Sequence, residues 1–360
     1  MSTEQTTEAS PQSATEPKTG VLIVNLGTPD APTTPAVRRY LRQFLSDDRV
    51  IDINPLGRWL LLNLIILPFR SPKSAKAYQR VWTDEGSPLL THGQKLAEAL
   101  AEELGPWPVR LAMRYGSPSI EQGLDELNSL GCDRLIIFPL YPQYASSTTG
   151  STLEEVYRVL SARWNSPSIV VVPPYFDQPA FLKAFTEVAQ PTLEELKPDH
   201  YLFSFHGLPE RHVIKSDESA QRSHCLKAEG CCEVLTHANR NCYRAQCVQT
   251  AHGIARELGL NREQYDISFQ SRLGREPWLQ PYTDKTVEAL AERGVKRLAV
   301  FCPAFTADCL ETIEEIGMEV KEEFEHAGGD ELALVPSLNS HSSWVKAAAA
   351  LIREGAPRGA

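Results

Sequence analysis

Positive charge is in deficit: 36 Lys and Arg residues stand against 46 Asp and Glu, for a net charge of −10. A surface that binds nucleic-acid phosphates needs the opposite balance, so no nucleic-acid partner is expected. The amino terminus lacks an apolar core. Its opening, MSTEQTTEASPQSATEPK, is rich in Ser, Thr, Glu and Pro, which predicts a disordered tail over 1–19, no signal peptide and a cytoplasmic protein. Long hydrophobic runs are missing too. The longest, Trp59–Phe69, would reach about 16 Å as a helix against a hydrocarbon core of about 30 Å, and Pro68 interrupts it, so it cannot span a bilayer. Bracketed by Arg58 and Arg70, the run suits either an ordinary buried helix or a segment lying on a membrane surface.

Cysteine is absent beyond Cys309 yet crowded before it. Of the 8 cysteines in the chain, Cys225, Cys231, Cys232, Cys242 and Cys247 fall within one short stretch. A cytosolic chain does not keep disulfides, and soft thiolates gathered on a loop ask for a metal.

Strand signals, each a β-branched or aliphatic run closed by Gly, Pro or Asn, occur at Val21–Gly27, Val109–Gly116, Arg134–Pro142 and Ser168–Phe176. Four more follow at Tyr201–Pro209, Tyr265–Leu273, Arg297–Ala304 and Leu332–Asn339. Helical patterns alternate with them: His92–Leu104, Ile120–Leu130, Thr152–Ala162 and Pro179–Leu196, then Ala245–Leu258, Asp284–Arg293, Leu310–His326 and Ser342–Arg353. Such alternation specifies parallel sheets with helices on both faces. The fold class expected is α/β, with two Rossmann-like, doubly wound domains, each a four-stranded parallel sheet flanked by helices, and a cleft between them. The boundaries expected are 20–196 and 197–356. In such folds the chemistry sits where strand carboxyl ends face a crevice.

Those strand ends carry chemistry. The run Tyr201-Leu202-Phe203-Ser204-Phe205 ends in His206-Gly207-Leu208-Pro209, which puts an imidazole where a central strand enters its loop; a core histidine satisfied by a carbonyl is the plainer alternative. A second strand end, Phe301-Cys302-Pro303-Ala304-Phe305, runs into Asp308, Glu311 and Glu315. Asp308 and Glu311 have the spacing of a capping box. Glu311, Glu315 and Glu319 continue as a file of carboxylates on one helix face, where like charges repel, an arrangement better suited to a path for protons or cations. Ser146-Ser147-Thr148-Thr149-Gly150-Ser151 before a helix suits either an anion site or simple capping.

Seven segments in order resemble the ferrochelatases, from about Val21 to Ile352. They are Asn25-Leu26-Gly27-Thr28-Pro29, Gly86-Ser87-Pro88, Met113-Arg114-Tyr115, Tyr141-Pro142-Gln143-Tyr144 with Ser147-Thr148-Thr149-Gly150, Phe203-Ser204-Phe205-His206-Gly207-Leu208-Pro209, Phe269-Gln270-Ser271-Arg272 with Pro277-Trp278-Leu279, and Ala304-Phe305-Thr306-Ala307-Asp308 with Glu311-Thr312. The resemblance implies a lyase that inserts Fe²⁺, as substrate, into protoporphyrin IX with release of two protons, closing haem synthesis. It implies that His206 and Glu311 flank the macrocycle and meet the metal, with Asp308 and Glu315 as a supporting proton or metal path. Leu26, Arg70, Tyr78, Ser87, Arg114, Tyr115, Leu208, Trp278 and Phe305 match positions that line the porphyrin or hold its propionates.

The resemblance also places the Trp59–Phe69 run on a lip at the pocket mouth, about residues 57–80, in peripheral contact with the inner membrane surface. A membrane-soluble protoporphyrin fits such a greasy mouth; coproporphyrin III is the alternative substrate. The cysteine-rich segment 225–247 looks like the internal [2Fe–2S] site of some bacterial members, with Cys225, Cys232, Cys242 and Cys247 as ligands and Cys231 as the alternative to Cys232. Structural zinc and unligated thiols are the rival readings. Cys309 departs from the family, where many members have histidine. Two other functions stay open: a carrier that holds metal or tetrapyrrole unchanged, and a chelatase for another metal or ring.

Overall fold

A computed structural model describes residues 17–274 and 276–356. Most of the expected disordered tail lies outside the described residues, and its last residue, Thr19, already opens the first strand, β1 (Thr19–Thr28). The remaining strands are β2 (Val109–Gly116), β3 (Arg134–Pro139), β4 (Ser168–Val171), β5 (His200–His206), β6 (Tyr265–Gln270), β7 (Arg297–Phe301) and β8 (Glu331–Leu334).

They form two four-stranded parallel sheets, in the orders β2-β1-β3-β4 and β6-β5-β7-β8. The two orders are the same path traced twice. In each half the first strand lies inside the sheet, because the chain adds its second strand on one side and then crosses back to the other. That reversal leaves a crevice between the carboxyl ends of β1 and β3 in one half and of β5 and β7 in the other. The central strands are apolar on both faces, as parallel strands covered by helices must be: Val21, Leu22, Ile23 and Val24 in β1, and Leu202, Phe203 and Phe205 in β5, are all fully buried.

Several expected strands end early. The runs beyond Pro139, Val171, Phe301 and Leu334 are loop, since the proline-rich segments that follow cannot supply ladder N–H groups. Four α-helices escaped the strand and helix reading: Thr34–Ser46, the short Pro55–Leu60, Leu67–Val81 and the short Glu210–Lys215. The expected continuous helix Leu310–His326 is two pieces, a wide π-helix over Glu311–Val320 followed by an α-helix over Lys321–His326. Two further π segments, Leu61–Ile66 and Ser146–Gly150, fall on the lip and on the hydroxyl cluster. Departures of this kind from α geometry concentrate at functional sites.

The halves exchange helices. Helix Ser342–Gly355, last in the chain, returns to pack on the first half, against helix Pro88–Leu104 and β3. Trp344, fully buried there, sits among Phe138, Tyr175 and Phe181 with ring centroids 5.7 to 6.2 Å away; such pairs add about 0.5–1.5 kcal/mol each beyond area burial. Helix Pro179–Leu196 packs in turn on helix Tyr243–Glu257 of the second half. One apolar cluster therefore runs through both halves, from Val21 to Ile352.

Candidate active site

His206 is the last residue of β5, at the crevice beside β7. Its Nδ1 lies 2.6 Å from the Gly207 carbonyl oxygen. That oxygen can only accept, so Nδ1 is the donor, and in the neutral ring the lone pair is on Nε2. Among the described residues no protein group is hydrogen-bonded to Nε2. The carbonyl contact of an ordinary core histidine is thus present, but it uses one ring nitrogen and leaves the other for chemistry. Gly207 has to be glycine: a Cβ there would stand 2.9 Å from the Gln270 carbonyl oxygen and 3.3 Å from the Trp278 ring. Phe305, just beyond β7, meets the His206 ring edge-on at 6.3 Å, and Tyr243 donates from its hydroxyl to the His206 carbonyl at 2.9 Å.

The acidic helix begins beside this crevice. Gln270, paired with His206 across β5 and β6, donates to the Glu311 carbonyl at 2.8 Å. Glu315 is mostly buried and accepts hydrogen bonds from Ser271 and, at 3.4 Å, from Gln270. Burial raises its pKa; the Ser271 bond and the nearby His206 oppose that rise, and Glu311 adds to it. Glu315 is therefore the group that senses both the imidazole and the first carboxylate. Glu311 also bears on the first half. Tyr78 is buried, and burial followed by the charge of Glu311 pushes its hydroxyl pKa well above the usual value; Tyr40 is raised in the same way, with Tyr78 ahead of Glu311 among the charges. Cys309, fully enclosed next to Glu311, is raised by burial first and by that carboxylate second.

The capping box that the Asp308 and Glu311 spacing allows is not formed. Asp308 turns to the loop after β8, accepting from Thr312 at 3.1 Å, from the Ser337 amide at 3.2 Å and from Asn339 at 2.8 Å. The outer end of the file is closed by Arg80 of helix Leu67–Val81, which pairs with the buried Glu314 and, at 3.3 Å, with Glu319.

In the first half one cluster on the matching rim is closed, although the hydroxyls of Tyr141, Thr149 and Thr152 nearby are buried without a partner among the described residues. Arg114 donates to Asp47 at 2.8 Å and to Ser151 at 2.7 Å, and Tyr115 donates to the same Asp47 oxygen at 2.7 Å. Asp47 was not singled out in the sequence; only the fold brings it to residues 67 and 104 positions away. Burial would raise its pKa, but hydrogen bonds from Ser151, Tyr115 and the Arg49 amide, with the Arg114 charge, hold it below the usual value. Ser87 is buried with its hydroxyl 2.7 Å from that of Thr28. Gly27 has φ 122°, and a Cβ there would meet the Tyr115 carbonyl oxygen at 1.8 Å. Leu26 packs against the cluster containing Tyr40, Tyr78 and Tyr115. The hydroxyl cluster is more than a simple cap: its residues form the π segment that leads into helix Ser151–Ser161, and Ser151 serves Arg114, Tyr115 and Asp47.

The lip is half in and half out. Leu62, Ile66 and Leu67 are buried against Val37, Leu41 and Leu45. Leu56, Trp59, Leu64, Ile65 and Phe69 are exposed, Phe69 to 76%, and Arg70 is exposed beside them. An ordinary buried helix is therefore excluded. No helix among the described residues is long and apolar enough to cross a membrane.

Leu208 lines a cavity of about 500 Å³ between the halves, together with Arg49, Tyr144, Ser146, His212 and Tyr243. Trp278 is nearly buried, donating from Nε1 to the Leu273 carbonyl at 3.0 Å.

All five clustered cysteines are buried. Asp217 organises their loop by accepting the amides of His224 and Cys225, each at 2.8 Å. Cys231 and Cys232 lie 3.8 Å apart at sulfur, and Arg244 donates to the Cys232 sulfur at 3.3 Å. Burial pushes the Cys225 thiol up to about 11 despite its bond with Cys242. Soft donors, burial and a neighbouring cation are present together. Among the described residues, however, no three or more His, Cys, Asp or Glu side chains are grouped so that they could hold a metal ion.

Comparison with known proteins identifies the family. A ferrochelatase of Coxiella burnetii (strain Dugway 5J108-111) is 48% identical over 338 residues, which is 94% of this chain and 94% of that protein. A ferrochelatase of Azotobacter vinelandii is 49% identical over 335 residues, covering 92% of this chain and 98% of its own. Among solved structures, the sirohydrochlorin chelatase SirB from Bacillus subtilis subspecies spizizenii in complex with cobalt is similar in fold, with a TM-score of 0.52 at 12% identity over 94% of this chain and 95% of that one. Residues 18–356 match the ferrochelatase family model, and the chain belongs to that family: it is an enzyme, a metal chelatase that inserts iron into a porphyrin.

Proposed function

We propose that the substrate is protoporphyrin IX, and that His206 and Glu311 flank its centre while Fe²⁺ replaces the two pyrrole protons. The observation that carries this reading is the free Nε2 of His206, set at the same crevice as Glu311 and the buried Glu315. A neutral imidazole with an open lone pair accepts a pyrrole proton near neutral pH. Glu311 and Glu315 strip water from the ion or take up protons, and Asp308, bound to Thr312 and Asn339, anchors the first turn of that helix. Leu26, Tyr78, Ser87, Arg114 and Tyr115 form the first-half side of the porphyrin seat; Leu208, Trp278 and Phe305 form the other, and Arg70 stands exposed on the lip beside it. Binding energy from these walls is available to pucker the ring and tip its lone pairs toward the metal.

The exposed apolar face of the lip supports protoporphyrin over coproporphyrin III and supports peripheral contact of a cytoplasmic protein with the inner membrane surface. The test is anaerobic turnover of each porphyrin with Fe²⁺, with and without anionic vesicles. Protoporphyrin should be preferred, and vesicles should raise its use; equal use of both rings without vesicle dependence would overturn the substrate and membrane reading. Turnover beyond one equivalent separates an enzyme from a carrier.

The segment 225–247 is proposed to hold a [2Fe–2S] cluster through Cys225, Cys242, Cys247 and one of Cys231 and Cys232. Such a centre supplies an oxidant-sensitive, one-electron couple; the metal insertion itself is not redox chemistry. Visible charge-transfer absorption, with iron and acid-labile sulfide in equal amounts, is expected, whereas a colourless protein containing zinc would replace the cluster with a structural zinc site.

A further inference from the structure

Asp52 stands at the root of the lip, three residues before helix Pro55–Leu60. Its carboxylate is mostly buried and points across to the other half. Arg211 donates to it from Nε at 2.7 Å and again from Nη2, Lys215 donates from Nζ, and the His212 Nε2 lies 3.1 Å away. All three partners sit on helix Glu210–Lys215, which starts four residues after His206. Arg211 carries the tie further, pairing with Glu276, two residues before Trp278.

The two loops reached in this way are one piece. The Gly207 amide donates to the Gln270 carbonyl at 2.6 Å, the Glu210 amide to the Pro277 carbonyl at 3.0 Å and the Leu279 amide to the Leu208 carbonyl at 2.9 Å. His206, Leu208 and Trp278 therefore belong to a single wall. The far end of the lip region is tied elsewhere: Arg80 closes helix Leu67–Val81 onto Glu314 and Glu319, beside Glu311. An exposed apolar segment is thus pinned at its root to the histidine wall and at its far end to the acidic helix. Removing the mostly buried carboxylate leaves two part-exposed cations without their shared counter-charge, so the tie has a definite geometry to lose.

We propose that Asp52 is a positioning residue for the reaction, which sets the gap between the lip and the His206 and Trp278 wall and so the width of the porphyrin seat. Asp52 acts through the bonds its carboxylate makes to Arg211 and Lys215. The inference rests on the reading that this wall faces the porphyrin. That reading fails if His206→Ala turns over normally; the present inference fails on different data.

The experiment is steady-state kinetics of Asp52→Asn with protoporphyrin and Fe²⁺, beside Asp52→Glu and the double variant Asp52→Asn/Arg211→Gln. A KM for porphyrin raised about tenfold, with kcat and the KM for Fe²⁺ within about twofold, is expected. Asp52→Glu should restore most of the porphyrin KM, and the double variant should be no worse than Asp52→Asn alone. An unchanged porphyrin KM, a fall in kcat at constant KM, or additive losses in the double variant would each overturn the proposal. If Asp52→Asn does not fold, Lys215→Met at the half-exposed end of the network carries the same test, with a rise of about threefold expected and no rise overturning it.

Discussion

The two halves trace one path through their sheets and use it differently. At the carboxyl end of β1 and its neighbours the charged groups answer one another: Arg114, Tyr115 and Ser151 all converge on Asp47, and Ser87 is paired with Thr28, while among the described residues only hydroxyls such as those of Tyr141 and Thr149 go without a partner. At the equivalent end of β5 the groups are left wanting. His206 keeps an open Nε2, and Glu315 is buried with fewer compensating donors than its charge requires, so its proton affinity rises. A satisfied network is rigid and holds shape; an unsatisfied one stores the capacity to bind protons or metal. The duplicated fold supplies two crevices, and the side chains at strand ends decide which one reacts.

That contrast can be broken most sharply at His206. His206→Ala should lower metal insertion by about a thousandfold while porphyrin affinity, followed by fluorescence titration, stays within about threefold. Near-normal turnover would remove the histidine from the chemistry. Glu311→Gln comes next, with an expected loss of about a hundredfold in kcat and little change in thermal unfolding. A loss of stability with kcat intact would mean the carboxylate only supports the helix. On the other rim the sign of the outcome should reverse. Asp47→Asn leaves Arg114 without its counter-charge and should cost about 2 kcal/mol in denaturant unfolding at neutral pH, with a smaller effect on the kcat of the folded fraction.

The finest test uses pH. Asp47 is held below its unfolded pKa, so its contribution is present above that pKa and is lost as pH falls through the folded value. Glu315 is held above its unfolded value of 4.5, so its contribution is present below that value and is lost as pH rises through the folded pKa. The stability difference between wild type and Asp47→Asn should therefore shrink on acidification. That between wild type and Glu315→Gln should shrink as pH rises from 4 to 7, measured by urea unfolding. Parallel trends in the two variants would erase the distinction between the rims.

Much of this was legible before any coordinates. Strand cores such as Val21–Val24 and Leu202–Phe205 announce themselves because a strand covered on both faces is a short continuous apolar run. His206 was visible because an imidazole breaks such a run just before Gly207 and Pro209. The lip was visible as an apolar stretch, but not which of its residues face out, since period and exposure diverge once the helix widens over Leu61–Ile66. Helix Thr34–Ser46 went unread, although its Val37, Tyr40, Leu41 and Leu45 have helical spacing. Asp47, Asp52 and Tyr243 had no signal at all: each is a common residue type whose partner lies far along the chain.

By itself, the order of apolar runs and breakers determined the α/β class, the duplication, the crevices and the residue types delivered to them, because these depend on local pattern and chain order. Only the tertiary structure decided which nitrogen of His206 is free, that Asp308 turns to Asn339 and not to a cap, and that the last helix returns to the first half. These are matters of distance between residues remote in sequence, and no local periodicity encodes a distance.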